Sequence, residues 1–243
     1  MADTKISQLN AITSAIASDL VVVNQDAGGG TFVSKKMTFD NLRGSISKLG
    51  TPATTDYTGI EAAGTLVFNG AAVVWEDLQV PGMVVGTGAS APDFINFAGT
   101  TTLKVYGFDG GNTLEQVYFI AQTSHSRKVG SNIRAHVHWT PTTAGTGDVK
   151  WNLEYTWQNQ SATFGASTTI SVTAPAGGTA WYHTYSAFPE IVGTGKEMSS
   201  ILVCRLYRDP SDVADTYAAD AAFLSVDFHY ILDTVGSRQE LVK

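Results

Sequence analysis

Two histidines two residues apart, His136 and His138, stand in the run Ile133-Arg134-Ala135-His136-Val137-His138-Trp139, and a third, His229, lies in another apolar run near the end of the chain. In an extended strand, side chains two apart point the same way. The pair can therefore present two imidazole nitrogens to one metal ion, and His229 can join from a neighbouring strand. The same residues also read as a hydrogen-bonded polar face. Ile133, Ala135, Val137 and Trp139 take the core side of the strand, leaving Arg134, His136 and His138 opposite. Trp139-Thr140-Pro141 follows the pair and supplies no carboxylate. The reading adopted is no metal and no cofactor, with His136, His138 and His229 as the candidates should a metal be held.

The element that positions the pair is the stretch from Ile133 to Trp157. Its second half alternates as strictly as its first: Val149, Trp151, Leu153, Tyr155 and Trp157 share one side, while Lys150, Asn152, Glu154 and Thr156 share the other. Pro141, Gly145, Gly147 and Asp148 separate the halves, which predicts a long antiparallel hairpin. Its tryptophans carry enough apolar area to place it in the middle of a sheet. A third strand is expected over Ala222–Leu232, where Ala222, Leu224, Val226, Phe228, Tyr230 and Leu232 share one face. Were the three strands neighbours, Arg134, His136, His138, Asn152, Glu154, Asp227 and His229 would form one continuous polar face, turned to solvent or to another subunit.

Shorter β-like runs fill the rest of residues 71–243: 72–80, 103–108, 117–121, 168–173, 181–188 and 200–208. Charged residues are only 15%, Gly numbers 24, and no helical stretch is long enough to cover a parallel sheet. The fold class expected is mainly β, an antiparallel sandwich of jelly-roll type. A net charge of −7 opposes non-specific nucleic-acid binding. No apolar run is long enough for membrane insertion, and residues 1–20 lack the pattern of a secretion signal. Cys204 is the chain's one cysteine and reads as a buried core thiol, so a disulfide framework is ruled out.

Catalytic signatures are missing. There is no G-x-S-x-G elbow, P-loop or dinucleotide fingerprint, and Gly28-Gly29-Gly30 belongs to a hairpin turn. No catalytic residue is assigned and the chain is read as a non-enzyme. Asp209, Asp212, Asp215 and Asp220 crowd one loop, but their spacing is not that of a calcium loop; turns, caps and pairing with Arg205 and Arg208 account for them. Tyr182, Tyr185 and Tyr217 offer aromatic faces that can stack on sugar rings.

Residues 1–50 differ in texture. Ile6, Leu9, Ile12 and Ile16 recur at helical spacing, two extended pieces flank the glycines, and a short helix is expected near Asp40–Ile46. This helix-hairpin-helix module is too small to bury a core of its own. Residues 51–70 are turn-rich and read as a linker plus a first short strand.

KISQLNAITSAIASDLVVV, a Gly-rich turn and SKKMTFDNLRGSI together resemble the N-terminal region of many tailed-bacteriophage fibre and head- or tail-appendage proteins, over Lys5 to Ile46. In that family the segment is associated with attachment to the particle. The resemblance therefore implies a virion-attachment module with Lys5, Ile6, Leu9, Asp19, Leu20, Lys35, Lys36, Asp40 and Leu42. From Ala72 onward the chain is similar to a β-sandwich domain recurring in phage and prophage structural proteins, which implies a homotrimer. The expectation is a short trimeric fibre or decoration protein, made in the host cytoplasm and carried on the virion, docked to capsid or tail proteins through residues 1–50. Its rivals are a receptor-binding protein recognising host-surface glycan and a metal-dependent jelly-roll enzyme of the cupin kind.

Overall fold

The computed structural model describes residues 20–26, 32–38, 48–50, 55–61, 64–81, 86–87, 90–100, 102–111, 113–237 and 239–240. The chain divides into two compact units, Met1–Ala72 and Val73–Lys243.

In the first unit, β1 (Leu20–Asp26) and β2 (Phe32–Thr38) form an antiparallel hairpin, in register from Leu20↔Thr38 to Asp26↔Phe32. β3 (Lys48–Gly50), β4 (Tyr57–Ile60) and β5 (Leu66–Asn69) make a three-stranded antiparallel sheet. The stretch 51–70 thus holds two strands, one more than its turn-rich composition suggests, because Tyr57–Ile60 and Leu66–Asn69 suffice once they pair with each other. Leu20, Lys35 and Lys36 lie on the hairpin strands. Lys5, Ile6, Leu9, Asp19, Asp40 and Leu42, together with both expected helices, lie outside the described residues.

The second unit is an antiparallel β-sandwich. Its strands are β6 (Val74–Pro81), β7 (Gly86–Thr87), β8 (Asp93–Asn96), β9 (Lys104–Phe108), β10 (Glu115–Gln122), β11 (Ile133–Pro141), β12 (Asp148–Gln158), β13 (Thr168–Pro175), β14 (Thr184–Ala187), β15 (Ile201–Arg208) and β16 (Ala221–Leu232). One sheet runs β13-β12-β15-β10-β7. The other runs β14-β11-β16-β9-β8, with β6 beside β9 along the same edge of β16.

Ile133–Trp157 is not a hairpin. β11 pairs with β14 and β16, whereas β12 pairs with β13 and β15 in the opposite sheet, so the chain crosses the core between them. Each half still sits mid-sheet. The cause lies in the tryptophans: Trp139 and Trp151 are fully buried with ring centroids 6.1 Å apart, edge to face, an arrangement that facing sheets allow. Phe108 joins Trp151 at 5.1 Å and Phe223 at 6.0 Å, and Phe119 meets Phe228 at 6.4 Å. Each buried tryptophan removes about 200 Å² from water, worth about 5 kcal/mol at most. Gly147 makes the crossing possible: at φ +132° a Cβ there would stand 2.7 Å from the Thr216 carbonyl oxygen.

β16 also departs from simple alternation. Its register with β11 shifts between His138 and Trp139, which oppose Ser225 and Phe223, leaving Leu224 as an extra residue. Below this bulge Ala221 and Phe223 turn to the core, and above it Val226, Phe228 and Tyr230 do. The single apolar face expected over Ala222–Leu232 therefore holds only from Val226 onward.

Candidate functional site

Because β11 and β16 pair directly while β12 belongs to the other sheet, the expected polar face splits in two. Arg134, His136, His138, Asp227 and His229 share the outer face of one sheet. Asn152 and Glu154 lie in the opposite sheet, where Asn152 accepts a 2.6 Å hydrogen bond from Ser171 and Glu154 pairs with Arg205 at 2.9 Å. No continuous seven-residue face exists.

What forms instead is a histidine cluster around one buried carboxylate. Asp227, 7% exposed, stands directly across from His136, with Arg134 opposite His229 and His138 opposite Ser225. Asp227 Oδ2 lies 3.3 Å from His138 Nε2 and 3.1 Å from His229 Nε2. Its Oδ1 is buried without a hydrogen-bond partner, with His136 Nδ1 3.8 Å away. Outer nitrogens are held in turn: His229 Nδ1 is 2.7 Å from Asp77 Oδ1, and His138 Nδ1 is 3.0 Å from His183 Nε2. The rings of His136 and His229 approach to 4.2 Å, and Tyr185 lies 5.2 Å from His136. Burial, and then the neighbouring His229, hold the His136 imidazole below its ordinary pKa against the pull of Asp227. Four of the chain's five histidines meet here.

The sequence showed His136, His138 and His229 as a set, but Asp77 and His183 escaped it. Each comes from a strand or loop whose neighbour is known only once β6 is paired with β16 and β14 with β11. At the margin of the face, Arg134 donates to Glu190 at 2.8 and 2.7 Å and its guanidinium lies over Trp75.

Of the aromatic residues expected to meet sugar, Tyr182 and Tyr185 are exposed, at 65% and 59%. Tyr217 is buried and corrects that expectation: its hydroxyl bonds Thr143, and the Arg208 guanidinium lies over its ring. Tyr217 closes the acidic loop against the core. Within that loop Asp215 takes Arg208 bidentately, at 2.9 and 2.8 Å, and accepts from the Lys150 amide at 3.0 Å. Asp212 pairs with Lys150, so these two aspartates are engaged in structural pairs.

Two further features lie elsewhere in the sandwich. A groove of about 490 Å³ is lined by Gln122, His125, Gln158, Asn159, Phe164 and Ser199 among others. His125 bridges Ser199 and Ser237, 2.7 Å to each, a serine–histidine contact whose third member is a hydroxyl and not the carboxylate that would steady an imidazolium. Near β10, Glu115 accepts from the Asp109 amide at 2.6 Å, and burial pushes its carboxyl up to about 7, with Asp109, Asp93 and Asp220 adding to the rise.

No family model and no curated protein matches the chain. Among solved structures it is similar to the CBM35 of Cellvibrio japonicus Abf62, at 12% identity and a TM-score of 0.38, covering 69% of this chain and 99% of that one. It is similar also to the CBM36-1 domain of a multidomain xylanase from the hindgut metagenome of Trinervitermes trinervoides, at 12% identity and 0.35, covering 63% and 96%. A third, the Clostridium thermocellum xylanase 10B CBM22-1–GH10 modules complexed with xylohexaose, shows 14% identity and 0.34, covering 68% and 27%.

Proposed function

We propose that this chain is a structural protein of a tailed-bacteriophage particle, a short trimeric fibre or decoration whose N-terminal unit docks to the head or tail and whose sandwich is displayed. The observation that carries the proposal is the attachment-like motif of Lys5 to Ile46, whose hairpin, β1–β2, belongs to a compact unit distinct from the sandwich. In support, among the described residues the second unit has a buried core cluster of its own, from Phe108 to Tyr230, as a display module requires. Three copies would multiply weak contacts into firm docking. Proteomics of purified particles from a producing culture tests the location: the protein is expected at a fixed copy number per particle, and its absence overturns the reading. Light scattering is expected to give three times the chain mass, and a monomer would remove the trimer.

Glycan recognition by the displayed sandwich is a second reading, favoured by the exposure of Tyr182 and Tyr185 and by the amide-lined groove with half-exposed Phe164. Amide side chains bond sugar hydroxyls while aromatic faces stack on the ring. Calorimetry with host-surface polysaccharide is expected to show binding that falls about tenfold in Tyr182→Ala/Tyr185→Ala or in Phe164→Ala. Absence of binding by the full chain removes this reading and leaves the first untouched.

A further inference from the structure

We infer that His136, His138 and Asp227 form a binding site for a divalent transition-metal ion of the zinc class on the outer face of the β14-β11-β16 sheet. Asp227 is nine-tenths buried, yet its Oδ1 has no hydrogen-bond partner, and leaving a buried charged acceptor unsatisfied is costly. Two imidazole nitrogens, both ordinary metal ligands, face the same carboxyl group. One candidate atom from each of the three residues lies within 4.8 Å of the others.

The spacings suit an ion. Ligands held about 2.1 Å from a tetrahedral zinc stand about 3.4 Å from one another. Asp227 lies 3.3 Å from His138 Nε2 through Oδ2 and 3.8 Å from His136 Nδ1 through Oδ1, and with one atom from each residue within 4.8 Å of the others, an ion would draw the ligands together by about 1 Å to reach its spacing. The face places its ligands by strand pairing: His136 and His138 are two apart on β11, and Asp227 is the cross-strand partner of His136. Rigid elements carry all three.

The surrounding groups match those of a metal site. An imidazole that gives one nitrogen to a metal donates its other N–H to a fixed acceptor, which sets tautomer and orientation. His138 Nδ1 finds His183 Nε2 at 3.0 Å. His229 has one nitrogen 3.1 Å from Asp227 Oδ2 and the other 2.7 Å from Asp77, so Asp77 and His229 form a relay that fixes the carboxylate. A purely hydrogen-bonded cluster gives no reason for Oδ1 to be left over. Three protein ligands leave a fourth tetrahedral position for water or a partner's donor atom. The inference is independent of any role on a virion.

The test uses the full chain, stripped with chelator and titrated with zinc, then with cobalt(II) as a spectroscopic probe. One zinc per chain is expected, with a raised melting temperature and a cobalt ligand-field spectrum of low-symmetry type. His136→Ala, His138→Ala and Asp227→Ala should each abolish stoichiometric binding, and His229→Ala should weaken it about 10- to 100-fold as a positioning residue. Glu190→Gln, on the same face outside the site, should bind normally. His136→Gln covers the case in which an alanine variant fails to fold. No stoichiometric zinc on the full chain, or unchanged binding in folded His136→Gln, would overturn the inference.

Discussion

Two buried aspartates, one in the loop between β15 and β16 and one on the outer face of β16, divide the polar chemistry of this protein between structure and site. Asp215 is completely engaged: a bidentate arginine, a backbone amide and full burial of the pair leave no oxygen open. Asp227 is buried almost as deeply, but crowds imidazoles against one oxygen and leaves the other without a hydrogen bond. A protein that can satisfy Asp215 with one arginine has no folding reason to gather His136, His138, His183 and His229 around Asp227. The contrast teaches that burial alone does not mark function; unsatisfied burial among convergent ligands does.

The contrast can be broken by mutation. Asp215→Ala strands the Arg208 charge in the core and is expected to cost about 3–5 kcal/mol, read from urea or guanidinium unfolding. A loss below about 1 kcal/mol would mean that the pair is not the structural staple described. Glu115→Gln probes a group between the two cases. Its folded pKa of about 7 lies above its unfolded value of 4.5, so the protonated form stabilises the fold fully below the unfolded pKa, and that stability is lost as pH rises to about 7. Wild-type stability should fall by up to about 3 kcal/mol from this group across that window, and Glu115→Gln, which keeps an acceptor for the Asp109 amide, should flatten the fall. A variant curve parallel to the wild type would exclude the assignment.

Asp227→Asn, in metal-free buffer, should change stability by less than about 1 kcal/mol or raise it, since it removes an incompletely satisfied buried charge. A loss comparable with that of Asp215→Ala would make the two aspartates alike and erase the distinction. The smallest effect is expected for Arg134→Ala, whose ion pair with Glu190 is half exposed on both sides and is worth about 0–1 kcal/mol. Double-mutant cycles with Glu190→Gln would read that coupling, together with its decline in salt.

How far the sequence carries depends on which pairings are local. Period-two alternation located β11, β12 and most of β16, because the buried side of a strand is written in its own residues. It could not say whether two adjacent strands lie edge to edge or face to face, and Pro141-to-Asp148 reads as a turn in either case. That ambiguity produced the hairpin where there is a crossing, and it joined Asn152 and Glu154 to histidines in the other sheet. His136 and His138 were legible as a pair since both lie on one strand. Asp77 and His183 were not, as they arrive through partners distant in sequence. Tyr217 has the sequence setting of an exposed tyrosine near a loop, yet Arg208 and Thr143, both beyond the reach of a local reading, hold it inside.

The extra residue at Leu224 has a reach beyond its own turn of chain. Ala221 and Phe223 below it, and Asp227 and His229 above it, are all odd-numbered, yet the first two face the core and the last two the outside. β16 therefore reads in two frames. Deleting Leu224 would force one end out of frame, sending either Phe223 to solvent or Asp227 into the aromatic core. Insertions and deletions in this strand should thus be tolerated far less than point changes at Leu224 itself, and the spacing between core and histidine face becomes a property of the strand's length as much as of its residues.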